Sequence, residues 1–270
     1  MSDSTSASLS GPLVRIAELP GVQDAVTDTR ALVDRLLKHR ILRRRSADVS
    51  TESSLRGACA SASLEGAEVA MDEIREGHIY DTRIKGALRA SAELGSLVDT
   101  WPKAPRQVLA RLHTLAAADA VDSEALGRPR TAGERVEDPL GLGEAMPPEA
   151  ALGRMEGLYS LLNSRTAVPA LVTSALVHGE LMAIRPFGWG DGLVARAAER
   201  LTLVERGLDP KSLVPPELGH QTMREEYVPA LRGYMSGTSE GVAEWIVYCC
   251  RAVRAGTQDS LATCEALKRG

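Results

Sequence analysis

The residues best suited to chemistry lie in one stretch, IRPFGWGDGLVARAAERL, at positions 184–201. The triplet Gly-Asp-Gly at 190–192 directly precedes an amphipathic run, and glycines at a helix start let backbone N–H groups approach an anion closely. Arg196 follows about 6 Å along the helix axis, where its side chain can reach back over the loop or pair with Glu199. This pattern predicts either an anion-binding loop or a tight turn that binds nothing.

The wider stretch ALVHGELMAIRPFGWGDGLVARAAERLTLVERGLDP resembles the core of the Fic family. The family motif is H-P-F-x-[D/E]-G-N-G-R-x-x-R, and Fic proteins typically transfer AMP from ATP to a hydroxyl group of a target protein. The positions that agree with the motif are Pro186, Phe187, Gly190, Gly192 and Arg196. The positions that depart from it are Arg185 for the histidine, Trp189 for the acid, Asp191 for the asparagine and Leu193 for the first arginine.

Two other segments carry the same resemblance, and they occur in the family's order. ASASLEGAEV contains Ser61-x-x-x-Glu65-Gly66, which is similar to the family's inhibitory (S/T)xxxE(G/N) helix. GRPRTAGERVEDPLGLGEAMPPEAALGRMEGLYSLLN resembles the flap hairpin, the proline pair after it and the next helix. The resemblance implies an all-α, Fic-like helical domain with an inhibitory-type helix at 50–70, a short flap hairpin at 128–143 and a motif loop at 185–196.

The four departures fall on the residues that carry the family's chemistry. The motif histidine is the general base, and Arg185 is permanently protonated, so it cannot accept a proton. The motif acid holds Mg²⁺, and Trp189 offers no oxygen ligand. Leu193 removes a cation that binds phosphate, while Asp191 places a negative charge where phosphates would lie. Losing the base alone is expected to cost about 10²–10⁴-fold in rate.

Another residue would have to replace the base if the chain were active. His178 lies about 10 Å before Arg185 on the preceding helix, and a histidine in an apolar helix is more typical of a core residue than of a catalytic one. The sequence does not place His113 or His220 near the loop. Asp191 remains an alternative base or metal ligand.

Glu65 and Arg196 match the two partners of the family's inhibitory ion pair. Ser61 and Glu65 are four residues apart and share one helix face. Arg196 points back toward the start of its own helix, where a guanidinium can bind a carboxylate through two parallel hydrogen bonds. The resemblance therefore predicts a buried Glu65–Arg196 pair; the alternative is an exposed glutamate on an alanine-rich helix.

Composition and periodicity predict an all-helical chain with an aliphatic core. Hydrophobic residues make up 44% of the sequence and aromatic residues 3%, and Phe187 is the single Phe. Phe187 is expected to fill the core beneath the loop. We predict a disordered N-terminus at 1–15, an N-terminal helix at 16–48 and a Fic-like domain at 49–270. Apolar spacing predicts helices over 22–45, 50–69, 81–101, 105–120, 148–162, 168–184, 192–205, 221–235 and 240–265.

Charge and cysteine content exclude several classes of partner. The net charge of −4 gives no overall attraction for nucleic acid or anionic lipid, so the basic cluster between Lys38 and Arg45 is interpreted as a solvated helix end. The four cysteines form no CxxC pair and have no histidine at metal-ligand spacing, so free buried thiols and no metal site are predicted. These cysteines are Cys59, Cys249, Cys250 and Cys264.

Two functions follow from these residues. The first is a degenerate, non-catalytic Fic-like protein, bacterial and cytoplasmic, that binds a protein or peptide at the flap, or a second copy of itself as a homodimer. The second is a rewired transferase that acts on a nucleotide or another phosphate compound, and only this alternative requires ATP and Mg²⁺. With no signal peptide and no apolar run of about 18 residues, no membrane association is expected. Phosphate-binding residues, if retained, are Gly190, Asp191, Gly192 and Arg196; Pro186 and Phe187 are scaffold residues.

Overall fold

The computed structural model describes residues 11–163 and 168–269, and no β-strand forms among them. The all-α fold class is thus confirmed. The helices are α1 (Pro12–Ala17), α2 (Val22–Leu37), α3 (Leu42–Leu64), α4 (Met71–Arg75), α5 (Thr82–Leu97), α6 (Pro105–Ala117), α7 (Pro148–Asn163), α8 (Ala170–Ile184), α9 (Asp191–Glu205), α10 (Pro216–Thr222), α11 (Arg224–Met235) and α12 (Ser239–Arg269).

The N-terminal part differs from the sequence prediction. Residues 1–10 lie outside the described residues, but Pro12–Ala17 is helical, so the predicted disorder at 1–15 is wrong for its last part. The predicted single helix at 16–48 is divided by Gly21, which has a left-handed φ of 79°, and by a turn at 38–41. The pair Pro20-Gly21 signals the first break in the sequence. Apolar spacing runs through the second break, which is why the sequence does not reveal that one.

Helices α8 and α9 form the centre of the molecule and pack against each other. In each of them 13 of 15 residues are buried, a larger fraction than in any other helix of the described ranges. Two tryptophan side chains anchor this pair from outside. Trp245 Nε1 donates to the carbonyl oxygen of Ala175 at 2.7 Å, and Trp101 Nε1 donates to Thr202 Oγ1 at 3.0 Å. The motif loop is therefore held between two immobilised helices.

Helix α10 is pressed against the long helix α12, and a glycine allows the contact. A Cβ on Gly219 would lie 2.0 Å from the carbonyl oxygen of Ala252, so any larger residue would force the two helices apart. This close approach matters for function because α10 carries His220, which contacts α9.

The flap lies where the sequence placed it but not in the predicted form. No strand forms within 128–143, so the expected hairpin is an irregular loop. Besides local turns at 131–134 and 138–141, its backbone bonds to the motif loop: Arg130 N donates to Pro186 O at 2.8 Å, and Glu137 N donates to Gly188 O at 2.7 Å. Because these amides bond across to the loop, they are not available for a hairpin ladder.

The four cysteines are all free and buried, as predicted. Within the described part of the chain, no helix is both long and apolar enough to cross a membrane.

Candidate functional site

The motif loop turns sharply because three of its residues adopt left-handed backbone conformations. Arg185 ends α8 with φ 47° and ψ 64°, and Pro186 cannot continue a helix. Gly188 has φ 81°, and Gly190, the N-cap of α9, has φ 65°. Two of these positions carry the glycine that such backbone angles favour; Arg185 does not. The loop geometry is thus encoded mainly by Gly188, at the variable position of the motif, and Gly190.

Asp191 closes this loop with its own side chain. Its Oδ1 accepts the N–H of Phe187 at 2.9 Å, and its Oδ2 accepts the N–H of Gly188 at 2.8 Å. Burial raises the pKa of Asp191 from 3.8 to about 7, although the two N–H donors oppose the shift. The N–H groups of the turn, which could bind an external anion, are therefore already bound to a carboxylate of the chain.

Glu65 and Arg196 lie in contact in the interior. Arg196 Nη2 donates to Glu65 Oε1 at 2.6 Å, with Arg196 0% and Glu65 6% exposed. The predicted pair of parallel hydrogen bonds does not form, because the other guanidinium nitrogens are taken. Nε donates to Ser61 Oγ at 2.8 Å, and Nη1 donates to the Tyr227 hydroxyl at 3.3 Å. Arg196 makes no ion pair with Glu199 and does not lie on the surface.

The end of α3 places the Glu65 carboxylate at the start of α9. Gly66, with φ 92°, allows Ala67 N to bond back to Ala62 O at 3.1 Å, which ends the helix in a Schellman motif. A Cβ on Gly192 would lie 2.0 Å from Glu65 Oε1, so the carboxylate rests against the first turn of α9. The positive end of the helix dipole favours a negative charge there.

Arg185, at the motif base position, extends toward the flap. Its Nη2 donates to the Gly143 carbonyl at 2.7 Å, and its Nη1 lies 3.5 Å from Asp138 Oδ1. Arg130 binds from the opposite direction, donating from Nε to the Arg185 carbonyl at 2.9 Å. Arg130 was not predicted as a site residue. It is buried, whereas its neighbours in the flap are half-buried or exposed. Its position in the flap segment was the available signal.

The other motif positions are apolar or stacked. Phe187 is half-buried rather than fully buried in the core, and its ring stacks on His113 with centroids 4.2 Å apart. Burial lowers the pKa of His113 to about 4, so this ring is neutral at pH 7. Leu193 is buried, and Trp189 is partly buried. His113 thus supports the loop as a packing partner of Phe187.

The space between the flap, Glu65 and the loop is almost filled. Its volume is about 10 Å³, and its lining includes Glu65, Asp138, Arg185 and the first residues of α9. That is about the space one water molecule needs, whereas small-molecule pockets are usually about 300–1,000 Å³.

A second polar cluster, which the sequence did not predict, lies on the same face of α9 as Arg196, about one helical turn further along. His178 Nδ1 and His220 Nε2 each lie 2.8 Å from Glu199 Oε2, and all three side chains are 0% exposed. Burial lowers the pKa of His178 to about 4. Burial by itself would raise the pKa of Glu199, but the two imidazoles hold it at about 2. These residues come from three helices, so no sequence spacing links them.

No model of a known protein family matches the chain, and no curated protein does. Solved structures do match. A Fic family protein from Desulfovibrio desulfuricans has a TM-score of 0.71 and 20% identity, over 88% of this chain and 74% of that one. Fic-1 from C. elegans has a TM-score of 0.68 and 18% identity, over 90% of this chain and 73% of that one.

A Fic-domain-containing signaling protein from Bacteroides thetaiotaomicron also matches, with a TM-score of 0.65 and 13% identity, over 90% of this chain and 98% of that one. Identities this low establish a common architecture and leave the chemistry open. This chain has the fold of the Fic proteins.

Proposed function

We propose that this protein is a non-catalytic binding or regulatory module built on the Fic fold, without protein AMPylation activity. The observation that carries the proposal is the position of Arg185 and its bonds to the flap. A guanidinium stands where the family has its general base, and it is bound to the flap through Gly143 and Asp138. It has no lone pair to accept a proton at working pH. The residue that removes the chemistry therefore also closes the groove.

The remaining groups of the groove support the same proposal. Asp191 uses both oxygens on N–H groups of the loop, and Glu65 lies against Gly192 at the start of α9. An incoming phosphate would have to displace two carboxylates and would be repelled by them. Position 189 offers an indole where magnesium needs oxygen ligands, and Leu193 supplies no cation. ATP with Mg²⁺ therefore has neither space nor ligands here.

The partner that fits this proposal is a protein or peptide that contacts the flap. The tip of the flap, residues 131–135, is exposed. Its inner amides are bonded to that loop, so a partner would bind a segment that is already ordered. Binding there would be transmitted to α8 and α9 through Arg130 and Arg185.

Transfer of labelled AMP from ATP and Mg²⁺ to protein in a cell lysate tests the catalytic part. Both arms carry Glu65→Gly, so that the carboxylate at α9 is removed in each. One arm keeps the wild-type loop, and the other carries Arg185→His, Trp189→Glu, Asp191→Asn and Leu193→Arg. The expected result is no label with the wild-type loop and label with the restored loop. Label at similar rates from the wild-type loop would refute the proposal, and thermal melts check that both arms fold.

A rewired transferase is the second candidate, and one observation favours it. The pKa of Asp191 is raised to about 7, which is where a general base works best at neutral pH. For this candidate, wild-type protein would bind a nucleotide or phosphate compound, and Asp191→Ala would abolish transfer while the fold persisted.

A further inference from the structure

The cluster around Glu199 combines three side chains that are ordinary metal ligands. His178 from α8, Glu199 from α9 and His220 from α10 place their ligand atoms within 4.8 Å of one another. None of the three has exposed surface. The Glu65–Arg196 contact, one helical turn earlier on α9, does not use any of them.

Glu199 is a buried carboxylate without a permanent cation. Within the described residues its ion-pair contacts are to the two imidazoles, since the adjacent Arg196 is committed to Glu65. Its Oε1 has no hydrogen-bond partner, and His178 Nδ1, although 2.8 Å from Oε2, has none of acceptable geometry. Buried charges are normally paired or coordinate a metal, and here the positive charge has to come from a protonated imidazole or from a bound cation.

Both imidazole rings are oriented by a second contact. His178 Nε2 lies 2.7 Å from the Tyr227 hydroxyl, and His220 Nδ1 lies 3.2 Å from the Tyr248 hydroxyl. In each ring one nitrogen faces Glu199 and the other is held by a tyrosine. Metal-binding histidines show this arrangement, because the outer hydrogen bond fixes the ring orientation and its tautomer.

We propose that His178 Nδ1, His220 Nε2 and the two oxygens of Glu199 bind one zinc ion as a structural centre. Imidazole and carboxylate are ligands that zinc accepts, and two nitrogens with a chelating carboxylate give a distorted four-coordinate site, because the oxygens of one carboxylate are too close together for a regular tetrahedron. Bonds of about 2.0–2.1 Å place a nitrogen and a carboxylate oxygen roughly 3.4 Å apart, so each nitrogen must move about half an ångström from Oε2. Full burial leaves no open position for substrate, which makes the site structural rather than catalytic.

The ion would connect α8, α9 and α10 deeper in the core than the groove. Since α8 and α9 also carry the two ends of the motif loop, the centre would stabilise the helices that hold the loop. A site without solvent access loads as the chain folds, so its binding free energy adds to the free energy of folding.

Metal analysis of the full chain tests this. The protein is produced without a histidine tag in zinc-supplemented medium and dialysed into metal-free buffer, and bound metal is measured by mass spectrometry. We expect about one zinc ion per chain in the wild type and in the control His39→Gln. His220→Gln and Glu199→Gln are expected to lose most of it. Wild-type protein that contains no metal and still unfolds cooperatively would overturn the proposal. The cluster would then be a hydrogen-bond network.

A second measurement does not depend on whether the variants fold. Wild-type protein produced with cobalt in place of zinc is expected to show the visible absorption bands of a tetrahedral centre with nitrogen and oxygen ligands. A spectrum identical to that of aqueous cobalt would count against the site. Zinc retained undiminished in His220→Gln would place the ion elsewhere and would also overturn the proposal. None of these results depends on whether the groove binds nucleotide.

Discussion

The buried face of α9 carries two charged clusters, a front cluster beside the motif loop and a back cluster around Glu199, one turn further along the helix, and they use their charged residues in different ways. At the front, Arg185, Asp191, Glu65 and Arg196 each bond to the loop, the flap or α3, and about 10 Å³ of space is left between them. At the front an N–H group, Arg185 Nε, is left without a partner, whereas at the back a carboxylate oxygen, Glu199 Oε1, is. An oxygen can bind a cation and an N–H group cannot. The cluster that resembles an active site is thus the less available of the two to a metal ion.

The largest expected effect comes from Arg196→Ala, which would break the link between the two clusters. The substitution leaves Glu65 buried without its cation and removes donors from Ser61 and Tyr227, so the free energy of unfolding should fall by about 3–5 kcal/mol. Denaturant melts measure it. The matched control is Arg254→Ala, an exposed arginine 3.5 Å from Asp28, with an expected cost of about 0–1 kcal/mol. Equal costs for the two variants would mean that the buried pair is not a structural tie.

Tyr227→Phe tests the back cluster together with its contact to Arg196. It removes a buried hydroxyl that lies 2.7 Å from His178 Nε2 and accepts from Arg196. Leaving these groups without a partner should cost about 1–3 kcal/mol, and a metal held by His178 should bind about 10–100-fold more weakly. The control is Tyr80→Phe, because Tyr80 is 82% exposed and should tolerate the change. A loss of stability with unchanged metal affinity would show that the hydroxyl stabilises the fold but does not contribute to metal binding.

Asp191→Asn tests the front through its pH dependence. The folded-state pKa of about 7 lies above the ordinary value of 3.8, so the stabilising contribution of this group is complete below pH 3.8 and is lost as the pH rises through 7. The asparagine variant should cost about 1–3 kcal/mol in acid, because one N–H loses its acceptor.

That cost should shrink toward neutral pH, by up to about 1.4 kcal/mol per pH unit. Between the two pKa values the unfolded wild type loses the Asp191 proton while the folded wild type keeps it, which destabilises the wild type, and asparagine does not titrate. Melts of wild type and variant from pH 4 to 8 measure this difference, with the exposed Asp48→Asn as control. A cost that grows with pH would show that the loop binds the ionised carboxylate more strongly than the neutral acid.

The smallest expected effect is local. Arg185→Ala removes the side-chain bond to Gly143, so the flap should open more often. Hydrogen exchange at the amides of Arg130 and Glu137 should rise about tenfold, which corresponds to about 1.4 kcal/mol. The control is Arg232→Ala, because Arg232 also donates to a flap carbonyl, that of Gly141, but from an exposed position. Equal exchange in both variants would rule out Arg185 as the residue that holds the flap.

The sequence by itself determined the fold and the form of the loop. Proline and glycine at fixed spacing specify a sharp turn between two helices through local backbone preferences. Gly66 likewise ends α3 so that Glu65 lies one position before it. These are properties of neighbouring residues, and they can be read directly from the sequence.

Only the tertiary structure decided where the charged side chains go. The flap forms no hairpin because its amides bond to a loop some fifty residues later, and the continuous periodicity at 22–45 hides a break in the helix. Arg196 divides its donors among three partners rather than two oxygens of Glu65. His178, Glu199 and His220 meet because α10 packs closely on α12, a contact that depends on Gly219. Contacts between distant segments depend on packing, and packing has no signature in local spacing.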